Sequence, residues 1–236
     1  GHPVLELARA AFLAARQLYG GSINQFTHSF KKCGWEVKWA DTTDAASFRA
    51  ALTAKTKAIF IESIANPGGI VTDIKSIAAV AKEAGVPLIV DNTLATPYLC
   101  RPFDWGADII VHSMTKYLGG HGNSLGGAIV ESGRFDWFKS DKFPALSAPE
   151  PAYHGLTFAE TFGDFALTMQ TKAVGLRDLG PTLSPFNAFL ILMGTETLPL
   201  RMQKHVENGR AVAEYLAGHP AVAWVSYAGL EMSPYY

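Results

Sequence analysis

Charge is scarce in this sequence. Of its 236 residues 17% are Asp, Glu, Lys or Arg, against roughly 25% in an average globular domain. The 20 basic residues nearly balance the 21 acidic ones, leaving a formal charge of -1. So neutral a chain has no field with which to hold a polyphosphate backbone, and nucleic acid is excluded as a partner. Long apolar runs are missing too. Gly85 to Val90 and Phe189 to Met193 fall far short of the roughly 20 residues that cross a bilayer as a helix, so no membrane partner is expected and a soluble chain is. Cysteine is almost absent. Cys33 and Cys100 stand far apart in no metal-like pairing, and no signal peptide opens the chain. A reducing cytoplasm fits, with both thiols packed as small hydrophobes. What is plentiful is hydrophobic residues, at 48%, enough for a sizeable core and against disorder.

The middle of the chain alternates short β-rich runs with amphipathic stretches, the pattern of crossover units on a mainly parallel sheet. Ala58 to Glu62 reads as a buried strand ending at the turn Asn66-Pro67-Gly68-Gly69. Ile74, Ile77, Ala78, Ala81 and Ala84 recur at helical spacing, with Asp73 as N-cap and Gly85 as the stop. Pro87 to Val90 is a second strand ending at Asp91, Gly106 to Val111 a third, and Gly126 to Val130 a fourth. Earlier, Trp35 to Trp39 alternates as a strand and Thr43 to Leu52 follows as a helix. Phe135 to Pro151, rich in Pro, Ser and charge without a period, is expected as a surface loop. Phe158 to Val174 is expected as a helix, Leu179-Gly180-Pro181 as a break, and Ser184-Pro185 as the start of a helix to about Ala217 bent at Pro199. Ala221 to Tyr227 reads as a strand.

In open α/β sheets ligands bind beyond the carboxyl ends of the strands. Three such ends are rich in chemistry: Glu62 with Asn66, Asp91 with Asn92 and Thr93, and Ser113-Met114-Thr115-Lys116 followed by Gly119-Gly120-His121-Gly122. Two hydroxyls beside a lysine, with glycines close behind, suit a single phosphate. A carboxylate at a strand end can pair with a protonated ring nitrogen. A lysine in a partly desolvated pocket loses its proton more readily than its free value of about 10.4 implies, which suits it to forming an imine. Together these requirements describe pyridoxal 5'-phosphate.

Three runs carry a resemblance: Ser63-Ile64-Ala65-Asn66-Pro67-Gly68-Gly69, Val90-Asp91-Asn92-Thr93-Leu94-Ala95-Thr96-Pro97-Tyr98, and Val111-His112-Ser113-Met114-Thr115-Lys116-Tyr117-Leu118-Gly119-Gly120-His121-Gly122. They closely resemble the Cys/Met-metabolism enzymes that depend on pyridoxal phosphate. Leu18-Tyr19-Gly20-Gly21-Ser22 and Leu183-Ser184-Pro185 also look like that family, so the resemblance runs from about Gln17 to Leu230. Gly20-Gly21-Ser22-Ile23-Asn24-Gln25-Phe26 and Arg177-Asp178-Leu179-Gly180-Pro181 are most like its sulfhydrylases of O-acetylhomoserine. Gly21 stands where the related methionine γ-lyases carry cysteine, which counts against a lyase.

The resemblance implies the α/β large domain of a fold-type-I, aminotransferase-like transferase, a mostly parallel sheet with helices on both faces, over residues 1–198. The start of a smaller α+β C-terminal domain would occupy residues 199–236. It implies that Lys116 forms the cofactor imine and then shuttles protons, that Asp91 pairs with the ring nitrogen, and that Tyr19 stacks on the ring. Ser113 and Thr115 would bind the phosphate, Asn66 would donate to the ring hydroxyl oxygen, and Glu62 would stand behind them. The implied reaction replaces the acetate of O-acetyl-L-homoserine by sulfide to give homocysteine, in a homotetramer built as a dimer of dimers. Cystathionine γ-synthase or a γ-lyase shares every cofactor contact, and a catalytically incompetent protein of the same fold is the rival from another class. That rival follows from the family pattern, in which loop, helix and strand precede the stacking tyrosine and a later arginine binds substrate carboxylate. Gly1 to Ala15 is too short for the former, and Tyr235-Tyr236 comes before the latter.

Taken singly, the same residues have plainer roles. Asp91 can cap a turn, Asn66 can serve the turn it opens, Ser113 or Thr115 can cap a helix, and Tyr19 can be an ordinary core or rim aromatic. His112 and His121 with Asp91 or Asp108 invite a zinc site, and a metal-dependent hydrolase with it, but the spacing does not support a metal, and a satisfied core histidine is expected instead.

Overall fold

The computed structural model describes residues 11–236; the first ten residues of the short N-terminal segment singled out above lie outside the described residues. Among these residues six strands form one sheet: β1 (Ala11–Ala15), β2 (Glu36–Ala40), β3 (Thr56–Glu62), β4 (Leu88–Asp91), β5 (Ile109–Ser113) and β6 (Gly127–Glu131). Their order is β2-β1-β3-β4-β5-β6, parallel throughout except for β6, which runs antiparallel along β5. The chain leaves β1 for β2 on one side and returns to place β3 on the other, so the strand order reverses between β1 and β3. That reversal opens a crevice at the strand ends.

Both faces of the sheet are covered. Leu13 pairs with Ile59, Ile59 with Leu88 and Ile61 with Val90. These side chains share one face and are fully buried in a cluster with Phe48 of α2 (Ala45–Ala51) and Ile77, Val80 and Ala81 of α3 (Ile74–Ala84). Each such burial contributes about 1.5–3 kcal/mol. The opposite face carries Phe12 and Phe60, whose rings meet Phe26 edge-on at 4.7 and 5.1 Å. Phe26 belongs to the helical segment that opens with α1 (Gly20–Asn24) and runs on through Gln25–Ser29 to Phe30–Lys32. Ile89 and Ile109, on that same face, pack with Trp137, Leu146, Phe158, Ala166 and Val174.

The caps follow the sequence. Asp44 accepts from Ala46 and Ser47 N–H at the start of α2, and Asp73 accepts from Ser76 N–H at the start of α3. Gly85 ends α3 in the left-handed region at φ 65°, where a side chain would be strained. Two further helices, α4 (Pro185–Glu196) and α5 (Leu198–Ala217), meet at Thr197, beside the Pro199 at which a bend is expected.

Several expectations need correction. Phe135 to Pro151 is not a surface loop: Trp137, Leu146 and Glu150 are buried, and Pro144–Ser147 is a helical turn. Its apolar residues lack a period because they reach the core singly from irregular backbone. Phe158 to Val174 is interrupted at Gly163, which turns at φ 51° between Phe158–Phe162 and Ala166–Gln170. The third strand begins at Ile109, because Gly106 at φ 96° closes the turn Pro102–Trp105. Ala221 to Tyr227 forms no strand; an alternating pattern becomes a strand only beside a partner ladder, and among the described residues it has none. Strand β1 and the helical segment Gly20 to Lys32 complete the sheet and its cover without having been assigned from periodicity. Cys33 is exposed rather than packed, while Cys100 is half-buried.

Candidate active site

The carboxyl ends of β1, β3, β4 and β5 deliver their side chains to one cavity of about 520 Å³. Tyr19, Glu62, Asn66, Asp91, Ser113, Thr115 and Lys116 all line it, so every residue singled out for cofactor chemistry is at one place. The sheet register explains the convergence. Glu62 and Asp91 are paired across β3 and β4, and Asp91 is paired with Val111 of β5. Residues in register on adjacent strands point to the same face, so both carboxylates emerge beside the crevice.

Glu62 ties two elements together. It is 4% exposed, and its carboxylate accepts the Tyr19 N–H at 2.6 Å and the Asn66 N–H at 2.9 Å. Burial raises its pKa above the ordinary 4.5; those two donors pull the other way and the facing Asp91 adds to the rise. Asp91 is itself held by the Thr93 backbone, which donates to Oδ1 at 2.9 Å, and the Thr93 hydroxyl in turn accepts the Ser113 N–H at 2.8 Å. A chain of hydrogen bonds thus joins β4 to β5 behind the cavity.

The lysine side differs. Lys116 lines the cavity and is exposed, so the expected desolvation is not met among the described residues. Tyr19, at 52% exposed, and Asn66 are open in the same way. The Thr115 hydroxyl donates to Gly126 O at 3.3 Å and accepts Gly126 N–H at 3.0 Å, so its single hydrogen is already engaged. Ser113 carries a hydroxyl with no partner among the described residues. The glycines behind the lysine do not offer N–H groups to an anion: Gly119 donates to Met114 O at 2.9 Å and Gly120 to Lys116 O at 2.8 Å. They serve close packing instead, for a Cβ on Gly119 would meet Met114 O at 2.8 Å.

Arg201 and His205, from α5, line the cavity as well. Periodicity placed them in a helix without marking them; their spacing of four residues, which puts both on one helix face, was the available signal. His112 sits on the opposite face of the sheet, since it follows Val111. It is nearly buried, its Nδ1 has no partner among the described residues, and burial lowers its pKa; the expected satisfied histidine is therefore incompletely satisfied. The His121 Nδ1 lies 2.7 Å from Gly119 O. Among the described residues no group of three or more His, Cys, Asp or Glu side chains is placed to hold a metal ion, and no helix is long and apolar enough to cross a membrane.

The family model for Cys/Met metabolism PLP-dependent enzymes matches residues 5–236. This chain belongs to that family. It is 47% identical over 232 residues to an O-acetyl-L-homoserine sulfhydrylase of Leptospira meyeri, covering 95% of this chain and 52% of the relative. It is 48% identical over 229 residues to a homocysteine synthase of Schizosaccharomyces pombe, covering 95% and 53%. A solved structure from Campylobacter jejuni, described as a candidate O-acetylhomoserine (thiol)-lyase with a pyridoxyl-lysine phosphate, superposes with a TM-score of 0.91 at 36% identity, over 98% of this chain and 58% of that one. The chain thus spans about half the length of the curated relatives it matches. The family is one of pyridoxal-phosphate-dependent enzymes, and the cavity suits that cofactor: an amine, a carboxylate, an aromatic ring and a hydroxyl with no partner among the described residues share one concave surface.

Proposed function

We propose that this chain carries the cofactor-binding part of an O-acetylhomoserine sulfhydrylase, which exchanges the acetate of O-acetyl-L-homoserine for sulfide and releases L-homocysteine. The observation that carries this reading is the meeting of Lys116, Asp91, Tyr19 and Ser113 in one cavity of a chain so close in sequence to sulfhydrylases. Pyridoxal phosphate, when bound, supplies an aldehyde that takes up amines and a ring that draws electrons from bonds at the substrate α-carbon.

The residues divide the work. Lys116 would hold the cofactor through its amine and, when that amine is free, would carry a proton to and from the substrate α-carbon. The same amine would take a proton from the β-carbon while acetate leaves the γ-carbon, and would return protons to the β- and α-carbons once sulfide has bonded to the γ-carbon. Asp91, an acceptor backed by Thr93, holds a proton at the ring nitrogen. Tyr19, at the cavity wall, would stack on the ring. Ser113 donates to the phosphate, and Thr115 joins it by turning its hydrogen away from Gly126. Asn66 would donate to the ring hydroxyl oxygen, while the Glu62 carboxylate ties the Tyr19 and Asn66 backbones to one another.

We read residues 1–198 as the cofactor-binding domain, residues 199–236 as the opening of a smaller one, and the assembly as a cytoplasmic homotetramer of paired dimers. The exposed cavity mouth supports a shared site, since a second subunit would supply the missing cover. Purified protein given O-acetylhomoserine with sulfide is expected to yield homocysteine and acetate. Cystathionine from cysteine as the preferred product, or keto acid and ammonia without a nucleophile, would assign it to the γ-synthases or γ-lyases instead. No turnover despite captured cofactor would leave a noncatalytic relative.

A further inference from the structure

Arg201 occupies an unusual place. It lies in the first turn of α5, where the helix dipole disfavours a cation, so its position must be supported from elsewhere. The support is a set of acceptors on three segments. Nη1 donates to Tyr117 O at 2.7 Å, Nη2 to Leu118 O at 3.4 Å and to Gly194 O at 2.7 Å, and Nε to Thr197 Oγ1 at 3.0 Å. Gly194 O belongs to the last turn of α4, where carbonyls lack helical partners. Tyr117 and Leu118 are the two residues immediately after the cavity lysine. One helical turn further on, the His205 ring lies 5.3 Å from that of Tyr117. The backbones also approach closely: a Cβ on Gly194 would collide with Gly119 O, and one on Gly120, at φ 73°, would meet Arg201 Nη1 at 2.5 Å.

We propose that Arg201 is a positioning residue: its guanidinium clasps the loop that carries Lys116 against the junction of α4 and α5 and so fixes where the lysine amine stands in the cavity. The planar fork suits the task, because three carbonyls and a hydroxyl are reached at once, which an ammonium group cannot do. Four of the five N–H donors are engaged, so Arg201 serves the loop and not a substrate carboxylate. Lys116 itself hangs from Ser113 O through its N–H at 3.2 Å, and its carbonyl accepts from Gly120. Releasing Tyr117 and Leu118 therefore frees the stretch that immediately follows the lysine. The functional consequence rests on the reading of Lys116 as the cofactor lysine; the clasp itself does not.

The test uses Arg201→Gln, Arg201→Lys and the exposed control Arg210→Gln in the purified protein. Without cofactor, amide exchange at Gly119 and Gly120 is expected to quicken about tenfold or more in Arg201→Gln while Leu88 to Asp91 is unchanged, since bonds to a charged group are lost at one side only. The concentration of pyridoxal phosphate that half-saturates borohydride trapping at Lys116 should rise about tenfold, and the pH midpoint of the visible band should move. Arg201→Lys should fail to restore either, and Arg210→Gln should match the parent. Should Arg201→Gln not fold, Gly120→Ala displaces the guanidinium from the loop side and should loosen the same amides. Unchanged exchange and trapping, or full restoration by lysine, would overturn the clasp, as would a lower melting point with no selective change in this loop. If the parent protein does not trap pyridoxal phosphate at Lys116, the cofactor role falls while the exchange result still decides the clasp.

Discussion

The two walls of the cavity are built on different principles. The carboxylate wall is part of the sheet: Glu62 and Asp91 sit in register at the ends of β3 and β4, and backbone N–H groups hold both. The lysine wall is a loop beyond β5, and the placement of this loop, with Gly119, depends on Gly194 and Arg201, which are remote from it in sequence. One wall is located by ladder hydrogen bonds and follows wherever the strands form. The other is located by side-chain and glycine packing, so it can be loosened without disturbing the sheet.

Lys116→Ala tests the comparison hardest. It should abolish the borohydride-stable adduct, read by intact mass, and lower turnover about a thousandfold, with melting unchanged because the side chain is exposed. Asp91→Asn on the other wall should cut turnover about a hundredfold, since only the electrostatic partner of the ring is lost; an activity equal to the parent would remove Asp91 from the site. Gly194→Ala presses a methyl into Gly119 O. It should cost about 1–3 kcal/mol by chemical denaturation, despite the better helix propensity of alanine, and an unchanged midpoint would mean that the walls are not so differently made. Thr115→Val should cost about 1 kcal/mol for the lost bridge to Gly126, whereas Ser113→Ala should leave stability within about 0.5 kcal/mol and weaken cofactor capture only.

The buried carboxylate also sets a sign for pH. Because the folded value of Glu62 is raised, its contribution to stability is complete below its ordinary 4.5 and is lost as pH climbs through the higher folded value. Glu62→Gln should flatten the decline of stability with pH in that window. A decline as steep as the parent's would assign it to another group, with Asp108 next in line since burial raises its pKa too.

Much of this was legible in the residues. Ala58 to Glu62, Pro87 to Asp91 and the run to Ser113 announced strands, Asp73 and Gly85 bounded a helix, and the residues past each strand end marked the crevice. The segment Phe135 to Pro151 misled because Trp137 and Leu146 enter the core from irregular backbone, and Ala221 to Tyr227 misled because alternation does not provide a neighbouring strand. The hydroxyls and glycines near Lys116 were legible as types and not as roles. Thr115 and the N–H groups of Gly119 and Gly120 are consumed by the fold, which left Ser113 as the unengaged hydroxyl.

Local pattern determined most of the central strands and the helix between Asp73 and Gly85, and the order of the chain placed a lysine, a carboxylate and an aromatic ring at strand ends. Those are consequences of periodicity and turn chemistry, which act over a few residues. Tertiary structure alone decided that Tyr19 hangs from Glu62, 43 residues away, and that Arg201 reaches Tyr117 across 84. Such bonds depend on which segments meet in space, and that is settled by packing the whole core at once.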